Sequence, residues 1–144
     1  MQNFNGQVDT AYLEKAADIF AAVKRDSYNR MQISEGDTVL DVGCGPGLDV
    51  MALAELVGSS GKVIGFDHDK AMLNQALENI AHTFQDRDIA LIEGCADRLP
   101  FQDNNFASAR SERLFMHLTS PELALSEIVR VTRPGGRIVI ADTD

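Results

Sequence analysis

Val39-Leu40-Asp41-Val42-Gly43-Cys44-Gly45-Pro46-Gly47 is the stretch of sequence that decides the fold of this chain. A short apolar run with β-branched residues, Thr38 to Val42, predicts a buried strand that ends directly at a glycine-rich turn. Glycines in such a turn let the backbone bend tightly and approach a ligand, and the helix predicted from Leu48 to Val57 offers free N–H groups at its start. The stretch therefore predicts a strand, a ligand-binding turn and a helix, a combination that many cofactors use.

The alternation of strands and helices continues on both sides of this stretch. Before it, apolar residues that include Ile19, Phe20 and Val23 recur with the spacing of an amphipathic helix, from about Thr10 to Asn29. We expect this helix to lie against the sheet or to cap a site. Strands are predicted at 38–42, 62–66, 89–93, 106–109 and 137–141, and the later helices at 48–57, 70–81 and after Ser120. Such alternation predicts an α/β fold, a Rossmann-like, doubly wound and mainly parallel sheet.

The spacing of the glycines argues against two common nucleotide cofactors. A dinucleotide-binding turn of the form G-x-G-x-x-G requires glycine at position 48, where this chain has Leu48. The phosphate-binding turn G-x-x-x-x-G-K-[ST] requires a lysine and a hydroxyl residue after its last glycine, and neither follows Gly47. NAD and ATP therefore fit poorly.

An acid at the end of the second predicted strand suits a different nucleoside. Asp67 follows the glycine turn by about twenty residues, where an acidic side chain can accept hydrogen bonds from the two hydroxyls of a ribose. S-adenosylmethionine is a nucleoside without phosphates, and its ammonium and sulfonium charges suit a site edged by Asp41, Asp67 and Asp97.

Four motifs in order carry a resemblance to a known family. They are Val39 to Gly47, Gly65-Phe66-Asp67, Gly94-Cys95-Ala96-Asp97-Arg98-Leu99-Pro100-Phe101 and Arg133-Pro134-Gly135-Gly136-Arg137. With them the chain resembles the class I S-adenosylmethionine-dependent methyltransferases, in particular the small-molecule branch of the methyltransferase-domain 11 and 25 type. The resemblance implies a transferase that uses S-adenosyl-L-methionine and releases S-adenosyl-L-homocysteine.

The resemblance also implies roles for the residues of the first two motifs. The turn, with Gly43, Cys44, Gly45 and Gly47, would line the methionine part of the cofactor. Asp41 would order the turn or reach the ammonium group. Asp67 matches the acid that binds the ribose, although an exposed acid at a strand end or a helix cap would look the same in the sequence.

The remaining cofactor positions follow in the same way. His68 and Met72 would pack against the adenine, although a methionine at this helical spacing is equally typical of a core residue. Asp97 would accept a hydrogen bond from the adenine amino group, with Arg98 adjoining through its backbone, unless Asp97 is a solvated loop acid. Ser111 corresponds to a position whose backbone contacts the methionine moiety.

The reaction that the resemblance implies is an in-line displacement of the methyl group from sulfur by an acceptor atom. Because the leaving group is already activated, the protein chiefly positions and dehydrates the reactants. A general base is needed only if the acceptor must lose a proton, and His117 is the candidate because imidazole titrates near neutrality. His117 is at least as well explained as an ordinary polar residue, and Glu112 or Arg113 are alternative contacts for an acceptor.

Charge and composition restrict the partners. The net charge is −9, with 22 acidic and 13 basic side chains, which disfavours nucleic acid and anionic membrane surfaces. The Asn/Asp-Pro-Pro-Tyr motif of enzymes that methylate DNA bases is replaced here by Ser111-Glu112-Arg113-Leu114. Cys44 and Cys95 lack the spacing of a zinc or redox motif, so we predict no metal and reduced thiols. The sequence shows no opening run of basic then apolar residues and no apolar stretch of roughly 18 residues, so we expect a cytoplasmic location.

The domain organisation predicted is an N-terminal helical segment, 1–37, and a cofactor-binding core, 38–144. The family's catalytic domain usually has seven strands, whereas the printed sequence stops after the fifth. We therefore expect that the chain is truncated or that another copy covers the exposed edge of the fifth strand. Three hypotheses follow: a small-molecule methyltransferase, a cofactor-binding module or regulatory subunit without turnover, and, more distantly, a nicotinamide-dependent oxidoreductase.

Overall fold

The computed structural model describes residues 10–142, in which helices and strands alternate along the chain. The elements are α1 (Thr10–Arg30), β1 (Thr38–Val42), α2 (Leu48–Val57), β2 (Lys62–Asp67), α3 (Lys70–Ala81), β3 (Asp88–Glu93), β4 (Phe106–Glu112), a short 3-10 helix (Phe115–His117), α4 (Pro121–Val131) and β5 (Thr132–Ala141). Residues 1–9 of the predicted N-terminal segment lie outside this description. Within residues 10–142, no helix is long and apolar enough to cross a bilayer.

The five described strands form one parallel sheet in the order β3-β2-β1-β4-β5. The chain adds β2 and β3 on one side of β1 and then returns to add β4 and β5 on the other side. This reversal creates a crevice beyond the carboxyl ends of β1 and β4, which is where open parallel sheets bind ligands. The predicted α/β, Rossmann-like fold is confirmed.

Hydrophobic clusters cover the two faces of the sheet, because successive side chains of a strand point to opposite faces. Val39 and Val63 belong to the cluster beneath α2 and α3, together with Val50 and Leu53 of α2. The cluster on the α4 side contains residues that are offset by one along the same strands, namely Leu40, Val42, Ile64 and Phe66, and also Phe106 and Ile128. Burial of both faces thus explains why the central strands β1 and β2 are apolar along most of their length.

The fifth strand begins earlier than the sequence predicts. The motif Arg133-Pro134-Gly135-Gly136, which precedes the predicted strand 137–141, lies inside β5 as a bulge. Phe106 pairs with Thr132 and Ser108 pairs with Arg137, so four residues of β5 stand opposite Ala107 alone. Gly135 has a φ of +79°, which a glycine adopts without strain.

Among the described side chains of α1, those of its last two turns pack most closely against the rest of the protein. Ser27 is buried there, and so is Met31 directly after the helix. By contrast, Ile19, Phe20 and Val23, on the predicted apolar stripe, are 55%, 64% and 56% exposed. The first half of α1 therefore extends beyond the surface that its carboxy-terminal half contacts.

Candidate functional site

One cavity of about 350 Å³ opens beyond the carboxyl ends of four strands. Its walls come from the ends of β1 and β2, the loop after β3, the loop after β4 and the start of α4. The lining residues are Val42, Gly43, Phe66, Asp67, His68, Gly94, Cys95, Ala96, Asp97, Leu114, His117, Leu118, Thr119, Ser120 and Ala124.

The glycine turn between β1 and α2 forms the floor of this region. Gly43, Gly45 and Gly47 have φ angles of +77°, +52° and +84°, a backbone conformation that side chains with a Cβ rarely adopt. The N–H groups of Gly43 and Cys44 both donate to the carbonyl oxygen of Phe66, at 2.7 and 3.0 Å. The turn is therefore anchored to the end of β2.

The three glycines face different surroundings. A Cβ on Gly47 would lie 3.0 Å from the Cβ of Ala76, so this glycine permits the close approach of α3. A Cβ on Gly43 would lie 3.2 Å from Leu114, which forms part of the cavity wall. A Cβ on Gly45 would meet no atom within 4 Å. Gly45 therefore leaves open space on the outer side of the turn.

Asp67 connects the end of β2 to the glycine turn. Its Oδ2 atom accepts a hydrogen bond of 2.8 Å from the Gly45 N–H, and its Oδ1 accepts one of 2.9 Å from the Asp69 N–H. The residue is only 8% exposed, yet it lines the cavity. Because a carboxylate can accept about four hydrogen bonds, each oxygen keeps capacity for a donor from a ligand. Asp69 caps α3 through the N–H groups of Ala71 and Met72, as its position predicts.

The loop after β3 supplies a second wall that carries Asp97. The loop is held from α4 by two side chains: Glu127 accepts a hydrogen bond from the Leu99 N–H, and Arg130 donates to the Leu99 and Phe101 carbonyl oxygens. Hydrogen bonds from Arg130 lower the pKa of Glu127. Arg130 therefore keeps Glu127 ionised, and together these two side chains fix the segment that follows Asp97.

The loop after β4 supplies the opposite wall. Leu114 and His117 belong to or border the 3-10 helix, and the His117 N–H donates to the Leu114 carbonyl oxygen at 2.9 Å. His117 lines the same cavity as Asp67 and His68, with Thr119 and Ser120 beside it at the start of α4. The imidazole of His117 is thus placed where a bound ligand would meet it.

Five of the predicted residues line the cavity, namely Gly43, Asp67, His68, Asp97 and His117. The others lie around it. Gly45 and Gly47 belong to the turn, Arg98 follows Asp97, and Met72 is 38% exposed in the first turn of α3. All of these roles remain predictions.

Three of the predicted site residues that do not line the cavity are buried in the protein. Cys44 packs in the hydrophobic cluster beneath α2, and burial raises the pKa of its thiol. Asp41 and Ser111 are each 1% exposed, and Asp41 Oδ2 and Ser111 Oγ have no hydrogen-bond partner among the described residues. The carboxyl ends of β1 and β4 therefore hold two buried polar atoms whose hydrogen-bonding capacity is unused.

A buried arginine beneath the glycine turn was not predicted from the sequence. Arg110 on β4 is 1% exposed and pairs with Asp41 across the sheet, with 3.4 Å between Nη1 and Oδ1. It also contacts Asp49 Oδ2 and Glu112 Oε2, both at 2.8 Å. The one signal in the sequence is a charged residue within a run of otherwise small residues, Ala107 to Ser111.

Helix α1 contributes two further members to this cluster. Lys24 Nζ lies 2.9 Å from Asp49 Oδ1 and 2.8 Å from Glu112 Oε2. The Tyr28 hydroxyl donates to Asp49 Oδ1, and the Arg110 guanidinium lies over the Tyr28 ring at 5.3 Å. The last turns of α1 are therefore tied to both α2 and β4 by charged groups.

The cluster shifts the pKa values of its members in opposite directions. Burial raises the pKa of Asp41 to about 7, although the nearby Arg110 opposes this. Burial also acts to raise the pKa of Asp49, but the charge of Arg110 and the bond from Tyr28 outweigh it and hold the pKa below its usual range. Burial acts to lower the pKa of Lys24, but its hydrogen bonds to Glu112 and Asp49 outweigh this effect, and the pKa is raised above its usual value. Asp49 and Lys24 therefore stay charged near neutral pH.

Among residues 10–142, no group of three or more His, Cys, Asp or Glu side chains is close enough together to hold a metal ion. The functional groups around the cavity are carboxylates, backbone N–H groups, hydroxyls and the imidazoles of His68 and His117. Such a set can hold a polar organic molecule and place an acceptor against it.

Comparisons with known proteins agree with this reading. A family model described as a methyltransferase domain matches residues 33–144. The chain is similar to a demethylmenaquinone methyltransferase of Oceanobacillus iheyensis, with 35% identity over 120 residues that cover 83% of this chain and 50% of that protein. It is also 36% identical over 141 residues to an uncharacterized 37.1 kDa protein in transposon TN4556 of Streptomyces fradiae, covering 94% of this chain and 39% of the relative.

Solved structures extend the comparison. A crystal structure of a SAM-dependent methyltransferase from Aquifex aeolicus superimposes with a TM-score of 0.69 at 29% identity, covering 76% of this chain and 58% of that one. The chain spans about half the length, or less, of the two curated relatives.

Proposed function

The chain belongs to the class I S-adenosylmethionine-dependent methyltransferases, and on that premise we propose that it transfers a methyl group from this cofactor to a small-molecule acceptor. One observation carries the proposal. The carboxylate of Asp67 is hydrogen-bonded to Gly45, so that the acid to which we give the ribose and the glycine turn form one continuous surface at the cavity.

The residues at the site fit the chemistry of S-adenosylmethionine. The unused acceptor capacity of Asp67 suits the ribose hydroxyls, and the open space beside Gly45 leaves room for the ligand backbone. Asp41 Oδ2 and Ser111 Oγ, both buried and without partners, suit the polar end of its methionine part. Asp97 on the cavity wall suits an amino group of adenine.

When bound, S-adenosylmethionine supplies a methyl group on a positively charged sulfur. The chain's residues hold this group and an acceptor in line and exclude water, and this positioning is the main source of acceleration. Phe66, Leu114 and Leu118 supply apolar wall, which lowers the local dielectric around the reacting pair. We assign His117 as the base for an acceptor that must lose a proton, because it lines the same cavity.

A small-molecule acceptor is supported from two directions. The curated relative from Oceanobacillus iheyensis is named for demethylmenaquinone, a small molecule. The net charge of −9 disfavours nucleic acid as the alternative class of acceptor. We further propose that residues 38–144 form the cofactor-binding core, that 1–37 cover part of it, and that the chain acts in the cytoplasm, where free thiols such as Cys44 and Cys95 stay reduced.

Thermal unfolding in the presence of ligands tests cofactor binding. A ligand that binds only the folded state stabilises it by about 2.7 kcal/mol at 100 times its Kd, which corresponds to a rise of several degrees in Tm. We expect S-adenosylmethionine and S-adenosylhomocysteine to raise the Tm and NAD to leave it unchanged. Stabilisation by NAD alone would overturn the proposal.

Two variants make this test specific. Asp67→Asn removes the charge that faces the ribose and should abolish most of the shift. Asp88→Asn removes an exposed acid at the opposite end of the sheet, near Lys62, and should keep the full shift. Equal shifts in both variants would remove the ribose role from Asp67.

Product formation separates an enzyme from a binding module. Purified chain is mixed with S-adenosylmethionine and demethylmenaquinone, the acceptor for which a relative is named, and S-adenosylhomocysteine is quantified. Turnover that falls in His117→Ala, with cofactor Kd unchanged, supports the assigned base. Tight cofactor binding without turnover on this or other small acceptors would favour the binding-module hypothesis.

A further inference from the structure

The glycine turn is bracketed by two acids that meet the same cation. Asp41 precedes the turn by two residues, and Asp49 follows it by two, in the first turn of α2. Arg110 contacts Asp41 Oδ1 at 3.4 Å and Asp49 Oδ2 at 2.8 Å. One guanidinium group therefore holds both ends of the turn.

The position of Arg110 gives this contact its rigidity. Asp41 and Arg110 are direct neighbours in the parallel pairing of β1 and β4, so the backbone of the sheet fixes their separation. Arg110 is 1% exposed, and a buried guanidinium is stable only when carboxylates compensate its charge. A shift of either end of the turn would leave that charge less well compensated.

Helix α1 completes the arrangement from outside the sheet. Lys24 bridges Asp49 and Glu112, and the Tyr28 hydroxyl donates to Asp49. Three acids and two cations then share the cluster, which keeps one negative charge next to the turn when all of them are ionised. The acid at the start of α2 is thus held jointly by the sheet and by α1.

We propose that Arg110 is a positioning residue for the cofactor, holding the glycine turn in its binding geometry through Asp41 and Asp49, and that Lys24 and Tyr28 couple the docking of α1 to cofactor affinity. This inference rests on the proposed function, because the turn is taken as the cofactor site. Arg110 itself is buried beneath the turn and acts through the two acids.

The test separates affinity from stability. The Kd for S-adenosylhomocysteine is measured by calorimetry at a temperature where each variant is folded, and the free energy of unfolding is measured without ligand. Lys24→Met is the main variant, since Lys24 is at the edge of the cluster and its side chain is 35% exposed. We expect its Kd to rise about fivefold or more, as for a typical coupling between sites.

Matched variants complete the design. Lys62→Met removes the same charge at the far end of the sheet and should leave the Kd unchanged, while Lys24→Arg should restore wild-type affinity. Tyr28→Phe should weaken binding in the same direction as Lys24→Met. Arg110→Lys keeps the positive charge, but an ammonium group cannot reach three carboxylates at once, so the Kd of this variant should rise most. If Arg110→Lys does not fold, Lys24→Met and Tyr28→Phe still test the coupling to cofactor affinity.

The outcomes are distinguishable. If the wild-type chain binds S-adenosylhomocysteine and Lys24→Met and Tyr28→Phe lose stability with an unchanged Kd, the cluster is structural only and the inference is overturned. If the wild-type chain does not bind this ligand, the proposed function fails instead, and the coupling to cofactor affinity falls with it.

Discussion

At the scale of single residues, three glycines in one turn are glycine for different reasons. Gly47 permits the close packing of Ala76, and Gly43 permits the approach of Leu114. Gly45 has neither constraint, since a Cβ there would meet no atom within 4 Å, but its φ is +52°. Under the proposed function, the missing side chain of Gly45 leaves room for the cofactor.

Substitution of Gly45 by alanine tests this reading. The left-handed backbone costs roughly 1–2 kcal/mol for a residue with a Cβ, so Gly45→Ala should lower stability by about that amount. Affinity for S-adenosylhomocysteine should also fall more than tenfold, because the new methyl group enters the ligand's space.

Gly135→Ala is the matched control for that experiment. Gly135 also has a positive φ, +79°, and open space around it, but it lies in the bulge of β5. It should lose a similar free energy of unfolding and keep the wild-type Kd. Equal losses of affinity in both variants would show that backbone strain, rather than occupied space, controls binding.

Asp41 makes stability depend on pH. Its pKa is about 7 in the folded chain and about 3.9 when unfolded, so between these values the folded state holds a proton that the unfolded state has released. The free energy of unfolding should therefore fall as pH rises from 5.5 to 7, by about 2 kcal/mol from this residue.

Asp41→Asn should remove that contribution. The charged groups that face Asp41 are Arg110, Asp49, Lys24 and Glu112. Asp49 and Glu112 have lowered pKa values, so the stability that they contribute is lost only at more acidic pH. They therefore do not hide the change that Asp41 causes between pH 5.5 and 7. Urea unfolding at pH 5.5, 7 and 8 is the measurement, and an identical slope in both proteins would contradict the assignment.

At the scale of elements, α4 controls the wall that carries Asp97. Glu127 and Arg130 hold the backbone of Leu99 and Phe101, and Arg130 also contacts Asp103. The wall is therefore a loop that is anchored by a helix on the neighbouring layer.

Glu127→Ala should release this loop. The Leu99 N–H loses a charged acceptor, and its hydrogen exchange should speed up by roughly tenfold or more. Cofactor affinity should fall as Asp97 becomes less well placed. Glu122→Ala, in the first turn of the same helix, is the control and should leave Leu99 protected; unchanged exchange in Glu127→Ala would show that the loop is held by other contacts.

Element boundaries were predictable where the signals are local. The caps, glycines and apolar runs around β1, α2 and α3 reproduce the observed bounds within a residue. The exceptions are β4, which continues past Ala109 to Glu112, and β5, which begins at Thr132 rather than Arg137. The added residues of β4 pair with β1 and β5, and Thr132 of β5 pairs with Phe106 across a bulge. Pairing of this kind has no local signature in the sequence.

At the scale of the whole molecule, the sheet is stabilised by the two hydrophobic clusters on its faces. Phe106 is 0% exposed and meets Phe101 edge-on, with ring centroids 5.1 Å apart. Phe20 on α1 is 64% exposed although it belongs to the predicted apolar stripe. Two phenylalanines of one chain thus have opposite surroundings.

Alanine substitution should show that Phe106 and Phe20 contribute very differently to the free energy of unfolding. Phe106→Ala should lower the free energy of unfolding by about 3–5 kcal/mol, because it removes a buried ring and leaves a cavity. Phe20→Ala should change it by less than about 0.5 kcal/mol. Urea unfolding measures both, and a large loss in Phe20→Ala would contradict the exposed placement of α1.

The sequence by itself determined the class of fold, the turn and the cofactor family. These depend on apolar periodicity, on glycines that permit positive φ and on short motifs in a fixed order, and each is encoded within about ten neighbouring residues. It also placed Asp67 at the end of one strand and Asp97 in the loop after the next, and parallel strands bring both to the same edge of the sheet.

Only the tertiary structure decided what lies beneath the turn. Asp41 and Arg110 are 69 residues apart in the chain and meet because β4 pairs beside β1 after the sheet reverses direction. Lys24 reaches Glu112 across 88 residues because α1 packs against that same region. Contacts of this kind arise from strand order and helix packing, and so the support of the turn by Arg110 emerged only when the chain was folded.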